Sequence, residues 1–205
     1  VKYLADSQIT SDLLSGASAV LVDEAHLLSQ EKLEYLLQYC GNRPVIFSSD
    51  YENMLSPEEL DRAAVHALEQ ISGIQSFQLT NRIRTNAEIS YFIQNMMCLP
   101  ERKKGRHFPH VTVMYANDDR EADVLLSDAQ HQGYQVILNE AEPAICADRL
   151  AMVLDQRYFY DRQNYLRSDD RSVRRLFHQL NCAKEELLLV VKQNEPLYAV
   201  LLDLL

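Results

Sequence analysis

The sequence predicts an α/β protein in two lobes, each with a parallel sheet covered by helices. Short apolar runs rich in β-branched residues alternate with segments of helical periodicity along most of the chain. The stretch "LPERKKGRHFPH", with two prolines, a glycine and four basic residues, interrupts this alternation. At 205 residues, the chain is long enough for two small cores. We therefore predict a first lobe at 1–98, a basic linker at 99–110 and a second lobe at 111–205.

The first lobe is predicted to begin with a strand at 19–22 and a second strand at 45–47, both apolar. Between them Ser29 is a candidate N-cap for a helix that Gly41 ends. The same signals predict the remaining elements of this lobe, which are a helix at 56–71, a strand at 77–79 and a helix at 86–97.

In the second lobe, strands and helices again alternate, which favours a parallel sheet with helical crossovers. The predicted strands are 111–115, 135–138, 150–154 and 187–191. The predicted helices are 118–132, 172–180 and a last one from about residue 196.

The composition and the net charge limit the classes of protein to which this chain can belong. The net charge of −10 gives no general basic surface, so contact with a nucleic acid would need a local basic patch. No apolar run approaches the ~20 residues of a membrane-spanning helix, so we expect no membrane partner. The cysteines are far apart and form no C-x-x-C pair, which indicates reduced core thiols of a cytoplasmic protein. They are Cys40, Cys98, Cys146 and Cys182.

Two adjacent acids, Asp23 and Glu24, follow the first strand in "SAVLVDEAHLLS". Ligands of open α/β sheets bind beyond the carboxyl ends of strands. At such an edge Asp23 could hold Mg²⁺, which prefers oxygen ligands, and Glu24 could orient or deprotonate an attacking water. Two alternatives are that both acids cap a nearby helix, or that they form a metal hydrolase site with His26. A lone histidine such as His26 is more often a structural hydrogen-bonding residue.

Three stretches, "VLVDEAH", "VIFSSDYENMLSPEEL" and "FQLTNRIRTNAEISYFI", resemble the superfamily 1 helicase-like P-loop ATPases. The similarity is greatest to an uncharacterised bacterial group of ATP-binding proteins allied to Schlafen-type helicase domains. Two later stretches, "MVLDQRYFYD" and "LFHQLNCAKEELLLVVKQNEPLYAVLL", resemble the second lobe of that group. The resemblance implies two RecA-like lobes that bind ATP and Mg²⁺, with ATP hydrolysis or translocation that depends on a nucleic acid.

The resemblance also implies roles for individual residues. Asp23 matches the Mg²⁺ ligand and Glu24 the catalytic acid of the Walker B motif. Arg84, in "NRIRTN", matches the arginine that reaches the γ-phosphate, although it could instead be a solvated arginine at a helix start. The remaining implied positions bind the nucleotide: Asp50 and Asn53 in the third motif, and Arg82, which is either phosphate-contacting or structural.

The sequence departs from the family at several motifs. No phosphate loop, G-x-x-x-x-G-K-[ST], occurs in it, and Asn53 stands where the family has Gln. In the fifth motif Cys146 and Ala147 replace Glu and Phe, and in the sixth motif Cys182 replaces an arginine. An arginine finger contributes on the order of 10³–10⁵ in turnover, and cysteine offers no comparable charged donors. We therefore expect no useful ATP hydrolysis by this chain alone.

Two explanations for these departures stay open. The chain starts at Val1 rather than Met, so it could be the later part of a polypeptide whose earlier segment carries the phosphate loop. The first lobe would then be incomplete at its N-terminus. Alternatively, the chain is a degenerate relative that binds a protein partner or a nucleic acid without catalysis. We favour a combination of the two, because truncation does not explain the changes at Cys146 and Cys182.

Other stretches suggest weaker candidate sites. The basic cluster at 102–107 could contact single-stranded DNA or RNA, or it could be a solvated linker. His107 and His110 have H-x-x-H spacing, but Pro109 disfavours a helix and no third metal ligand is near in sequence. The tyrosine- and arginine-rich stretch 156–175 suits either base stacking or packing between lobes, and we favour packing.

Overall fold

The computed structural model describes residues 8–49, 77, 85–99, 107–138, 145–168 and 172–205. Its chain divides into two compact units, Val1–Gln78 and Leu79–Leu205. The predicted α/β class with parallel sheets and covering helices is confirmed. The predicted helix at 56–71, nearly all of the strand at 77–79 and most of the basic linker lie outside the described residues. The predicted lobe bounds therefore stay predictions.

The described residues of the first unit form a parallel pair of strands and two helices. β1 pairs with β2 so that Leu21 lies opposite Ile46. The predicted cap residues of α2 are confirmed, since Ser29 Oγ accepts a hydrogen bond from Lys32 N at 3.3 Å and Gly41 ends the helix with φ 57°. The elements are α1 (Ser11–Ser15), β1 (Val20–Val22), a 3₁₀ turn (Ala25–Leu27), α2 (Gln30–Cys40) and β2 (Val45–Phe47).

The core of the first unit lies on one face of the β1–β2 pair. Buried side chains of α1, of α2 and of the residue that follows the 3₁₀ turn pack there against alternate strand residues, and they are Leu14, Leu28, Leu33, Leu36 and Cys40. On the opposite face, Leu21 and Ile46 are 70% and 61% exposed. The pair is thus buried on one side, as the period-2 alternation of a strand allows.

The second unit is built on a four-stranded parallel sheet in the order β3-β8-β5-β4. A separate antiparallel hairpin consists of β6 and β7. The strands are β3 (Val111–Ala116), β4 (Gln135–Ile137), β5 (Ala147–Leu154), β6 (Phe159–Tyr160), β7 (Leu166–Arg167) and β8 (Ala183–Lys192). The helices are α3 (Ala87–Met97), α4 (Asp119–His131), α5 (Ser172–Leu180) and α6 (Glu195–Leu204).

Helices cover both faces of this sheet. On one face, buried residues of α4 pack with Leu188 and Val190 of β8. The alternate residues Leu187, Leu189 and Val191 point to the other face and are buried as well. Helices α3, α5 and α6 contact β8. The central strand is therefore buried on both sides at Leu187–Val191, which explains the continuous apolar run there.

The β6–β7 hairpin was not predicted, and one side chain organises its turn. Asp161 Oδ1 accepts hydrogen bonds from the backbone N–H groups of Gln163 and Tyr165 at 2.9 and 3.0 Å. Asp161 Oδ2 accepts another from Arg167 Nε at 2.7 Å. These side-chain bonds add to the backbone bond of the turn, in which Asn164 N donates to the carbonyl of Asp161 at 3.0 Å.

Two tyrosines at the start of this hairpin, Tyr158 just before β6 and Tyr160 within it, pack inside the second unit. Tyr158 is only 1% exposed. The hydroxyl of Tyr160 donates to the carbonyl of Met96 in α3 at 2.8 Å, and burial raises the pKa of this phenol above its usual range. These two side chains contribute to packing within the second unit.

Candidate functional site

The structure brings the residues that follow β1 and β2 together at the carboxyl edge of this parallel pair. Beyond the strands, Ser48 N donates to the carbonyl of Val22 and Ala25 N donates to the carbonyl of Ser48, both at 2.8 Å. These two hydrogen bonds continue the ladder by one step. They place Asp23, which lies between Val22 and Ala25 in the chain, beside Ser48.

Asp23 presents an exposed carboxylate in a fixed orientation. Its Oδ1 accepts a hydrogen bond from Ser48 Oγ at 2.7 Å and another from the backbone N–H of Glu24 at 3.0 Å. The side chain is exposed to solvent. An anionic oxygen ligand held at the carboxyl end of a parallel strand fits Mg²⁺, which is usually bound by one or two carboxylates together with water and phosphate.

Glu24 adopts a backbone conformation that residues other than glycine rarely take. Its φ and ψ are 53° and 42°, in the left-handed region. Such a conformation costs about 1–3 kcal/mol and persists where the surrounding structure enforces it, often at functional sites. Here the hydrogen bond between Ala25 N and Ser48 O holds the next residue in place.

His26 lies against the carboxylate of Glu24. His26 Nε2 is 3.1 Å from Glu24 Oε2, and the two side chains are 0% and 36% exposed. The buried imidazole thus fixes the direction of a carboxylate that reaches solvent. This contact lacks hydrogen-bond geometry, so the interpretation of His26 as a structural hydrogen-bonding residue stays a prediction.

The alternative that the two acids cap a helix receives support from position only. Glu24 is the N-cap residue of the 3₁₀ turn at Ala25–Leu27, but its side chain makes no capping hydrogen bond to that turn. The next helix, α2, is capped by Ser29. Asp23 instead binds Ser48 and the N–H of Glu24, so both carboxylates are directed by the sheet edge and by His26.

Of the residues implied by the family resemblance, the structure places only Asp23 and Glu24. The other four, Asp50, Asn53, Arg82 and Arg84, lie outside the described residues. Ser48 was not predicted as a site residue, and His26 was considered only in the metal hydrolase alternative. A signal for Ser48 existed, because it follows β2 as Asp23 follows β1, and parallel neighbours end at the same edge.

The residues that the resemblance assigns to the altered motifs lie at the amino end of the second unit's sheet. Cys146 and Cys182 directly precede β5 and β8, and their sulfur atoms are 2.7 Å apart. Asp148, the residue of the implied fifth motif that agrees with the family pattern, is exposed and its Oδ1 lies 3.4 Å from Lys184 Nζ. Cys146 is also exposed. The prediction that all the cysteines are core thiols is therefore wrong for Cys146.

The structure gives no support to a metal site built on histidine. His107 and His110 are exposed, and His110 Nε2 lies 3.7 Å from Glu88 Oε2. Within the described parts of the chain, no group of three or more His, Cys, Asp or Glu side chains could hold a metal ion. The basic cluster at 102–107 is described only at His107.

A cavity of about 180 Å³ opens at the carboxyl edge of the second unit's sheet. Four of its five charged lining residues are paired, since Lys192 Nζ is 2.6 Å from Asp119 Oδ1 and Arg157 Nε is 2.9 Å from Asp155 Oδ1. Burial raises the pKa of Asp155, but hydrogen bonds from Arg157 and the charges of Arg157 and Lys192 outweigh it, so this pKa lies below its usual value. The fifth charged lining residue is Asp123.

The structure thus defines an α/β protein with an acid pair at the carboxyl edge of parallel strands. Neither the models of known protein families nor the curated proteins give a significant match to this chain. Among the described helices, none combines the length and the apolar character needed to cross a membrane.

Proposed function

We propose that this chain is part of a helicase-like P-loop ATPase in which Asp23 and Glu24 serve the nucleotide site. One observation carries the proposal: both acids lie directly beyond β1 at the carboxyl edge of a parallel pair, with the Asp23 carboxylate oriented by Ser48. This is the edge at which open α/β sheets bind ligands. The family resemblance supplies the remaining parts, including two RecA-like lobes and ATP as the ligand.

In this proposal Asp23 is the residue that would hold Mg²⁺. When bound, Mg²⁺ supplies charge stabilisation to the phosphoryl group being transferred. Glu24 orients the attacking water and accepts its proton, and its side chain reaches solvent as this role requires. His26 holds Glu24 in one direction from within the core, which limits the reorganisation needed in the reaction.

The other site residues come from the resemblance alone. Arg84 would act on the γ-phosphate, while Asp50, Asn53 and Arg82 would bind the nucleotide. Single-stranded DNA or RNA would contact the basic cluster at 102–107. We also propose a cytoplasmic location, because the sequence indicates that the cysteines are reduced.

We expect no hydrolysis of ATP by these 205 residues alone. Their sequence contains no phosphate loop, and the backbone N–H groups and lysine of that loop provide most of the grip on the phosphates. The position of the arginine finger is taken by Cys182. Activity would require a segment that supplies the phosphate loop.

A second candidate function is a non-catalytic module that binds a protein partner or a nucleic acid. The observation that favours it is the environment of Cys182, which is 8% exposed and directs its sulfur to Cys146 rather than to solvent. This position presents no charged donor to a phosphate. A change of this kind is expected where catalysis is no longer under selection.

The two functions are separated by measuring ATP binding and turnover on the whole chain, with and without single-stranded DNA or RNA. We expect weak ATP binding that depends on Mg²⁺ and falls by roughly tenfold or more in Asp23→Asn. The control is Asp12→Asn, which removes an exposed carboxylate of α1. Turnover should equal the background of Glu24→Gln. Binding of a nucleic acid or a protein without any Mg²⁺-dependent ATP binding would favour the second function instead.

A further inference from the structure

Cys146 and Cys182 form a pair of thiols that the sheet itself brings together. The first matched positions of β5 and β8 are Ala147 and Ala183, and each cysteine directly precedes one of them. The backbone N–H of Ala147 donates to the carbonyl of Cys182 at 3.1 Å, so the two strand starts are fixed side by side. Neighbouring strands lie about 4.8 Å apart, within the Cα separation of roughly 4.4–6.8 Å that a disulfide spans.

The side chains are already directed toward each other. The sulfur atoms of Cys146 and Cys182 are 2.7 Å apart. The paired strand starts therefore hold the two thiols in direct contact. By contrast, Cys40 belongs to the core of the first unit.

The two thiols differ in access to solvent. Cys146 is exposed, whereas Cys182 is buried. An oxidant in solution therefore meets Cys146 first, and Cys182 lies where it can attack the sulfur of a modified Cys146. An exposed thiol beside a resolving thiol is the arrangement that redox-sensitive pairs use.

We propose that Cys146 and Cys182 form a reversible redox pair that is oxidised by low-molecular-weight disulfides. The Cys146 thiolate attacks a disulfide R–S–S–R, forms a mixed disulfide and releases one thiolate RS⁻. The Cys182 thiolate then attacks the Cys146 sulfur, forms the Cys146–Cys182 bond and releases the second RS⁻. The protons of the two cysteines end on two RSH molecules. The protein pair loses two electrons, and the small disulfide gains them.

A Cys146–Cys182 disulfide would fix the turn between α5 and β8, which supports the start of α3. In this turn the carbonyl of Asn181 accepts a hydrogen bond from Thr85 Oγ1, and in β8 the carbonyl of Lys184 accepts one from Asn86 N at 3.0 Å. Asn86 is the N-cap residue of α3. Oxidation would therefore tie β5, β8 and the start of α3 into one rigid edge of the sheet.

The test incubates the whole chain in a series of buffers with increasing ratios of oxidised to reduced glutathione. After the remaining thiols are alkylated, peptides are mapped by mass spectrometry, and thermal unfolding is recorded. We expect a peptide that links Cys146 to Cys182, reversal by dithiothreitol, and a melting temperature higher by on the order of 5–10 °C in the oxidised protein.

Variants make the test specific. Cys146→Ser changes an exposed residue and should remove both the linked peptide and the rise in melting temperature. Cys98→Ser is the matched control and should retain both. Cys182→Ser should leave Cys146 as a mixed disulfide with glutathione. The proposal is overturned if Cys146 of the unchanged chain stops at the mixed disulfide, links to another cysteine or to a second chain, or stays reduced at every ratio.

Discussion

Ser48 donates a hydrogen bond from its hydroxyl to the carboxylate of Asp23 at 2.7 Å, across the carboxyl ends of two parallel strands. The backbone of Ser48 is held at both its N–H and its carbonyl by the chain on either side of Asp23. The orientation of this carboxylate is therefore a consequence of strand pairing rather than of a flexible loop. A site built on paired strands keeps its ligands in position more accurately than a site on loops.

The contribution of this bond can be measured by replacing Ser48 with alanine. We expect Ser48→Ala to lower the free energy of unfolding of the first unit by about 0.5–1.5 kcal/mol, since the bond involves a charged acceptor but is exposed. Chemical unfolding monitored by hydrogen exchange of the first unit gives this value. Ser49→Ala, at the next exposed residue, is the control, and an equal loss in both variants would show that the bond contributes nothing.

The left-handed conformation of Glu24 predicts an order of stability among its variants. Both Glu24→Gly and Glu24→Ala remove the carboxylate that contacts His26, so their difference isolates the backbone. We expect Glu24→Gly to be more stable than Glu24→Ala by about 1 kcal/mol, because glycine adopts positive φ without a steric penalty. Denaturant unfolding of the two variants compares them, and a more stable alanine variant would contradict the assigned conformation.

The contact between Glu24 and His26 predicts energetic coupling. A double-mutant cycle with Glu24→Ala and His26→Ala should give a coupling energy of about 0.5–1 kcal/mol, kept small because Glu24 is partly exposed to solvent. His26→Ala alone should be the more destabilising change, since it empties a fully buried site. Strict additivity of the two single changes would show that the residues do not interact in solution.

The hairpin turn around Asp161 predicts a loss of stability in acid. Burial raises the pKa of Asp161, but the hydrogen bonds from Tyr165, Arg167 and Gln163 outweigh it, so the pKa lies below its usual value. A carboxyl with a lower pKa in the folded state stabilises the fold above its unfolded pKa of about 3.9, and this stabilisation disappears as the pH falls through the folded pKa.

Asp161→Asn should therefore be less stable than the unchanged chain by about 1–3 kcal/mol at neutral pH, and the gap should close below roughly pH 4. Urea unfolding over a pH series measures both curves. Asp128→Asn, which removes an exposed carboxylate of α4, controls for the change in net charge. A gap that persists at low pH would mean that the ionised carboxylate is not what holds the turn.

Much of the fold was predictable because local signals and tertiary packing agree. The caps at Ser29, Asn86 and Asp118 lie at the predicted helix starts, and each accepts a hydrogen bond from its own helix. Strand β8 is longer than predicted because its partly polar start also pairs with β5, through Ala183 and Glu186 with an irregularity between them. The β6–β7 hairpin was missed because the side chain of Asp161 builds its turn, and residue patterns do not show which atoms a side chain will bind.

The candidate site was predictable only in part, for a similar reason. The acids after β1 can be read from the sequence, since an apolar run followed by carboxylates marks the end of a strand. The left-handed backbone of Glu24 and the contact with His26 depend on how the chain turns after the strand. The pairing of Cys146 with Cys182 depends on which strands are neighbours, and their separation along the chain gives no sign of it.

The proposal that the edge beyond β1 and β2 binds a metal and a nucleotide is tested most directly by a nuclear magnetic resonance titration of the whole chain with Mn²⁺ and ATP. We expect paramagnetic broadening centred on the amide signals of Asp23, Glu24 and Ser48. This broadening should be lost in Asp23→Asn and kept in Asp12→Asn. Broadening that is unchanged in Asp23→Asn, or that centres on other carboxylates, would contradict the assignment of this edge as a metal–nucleotide site.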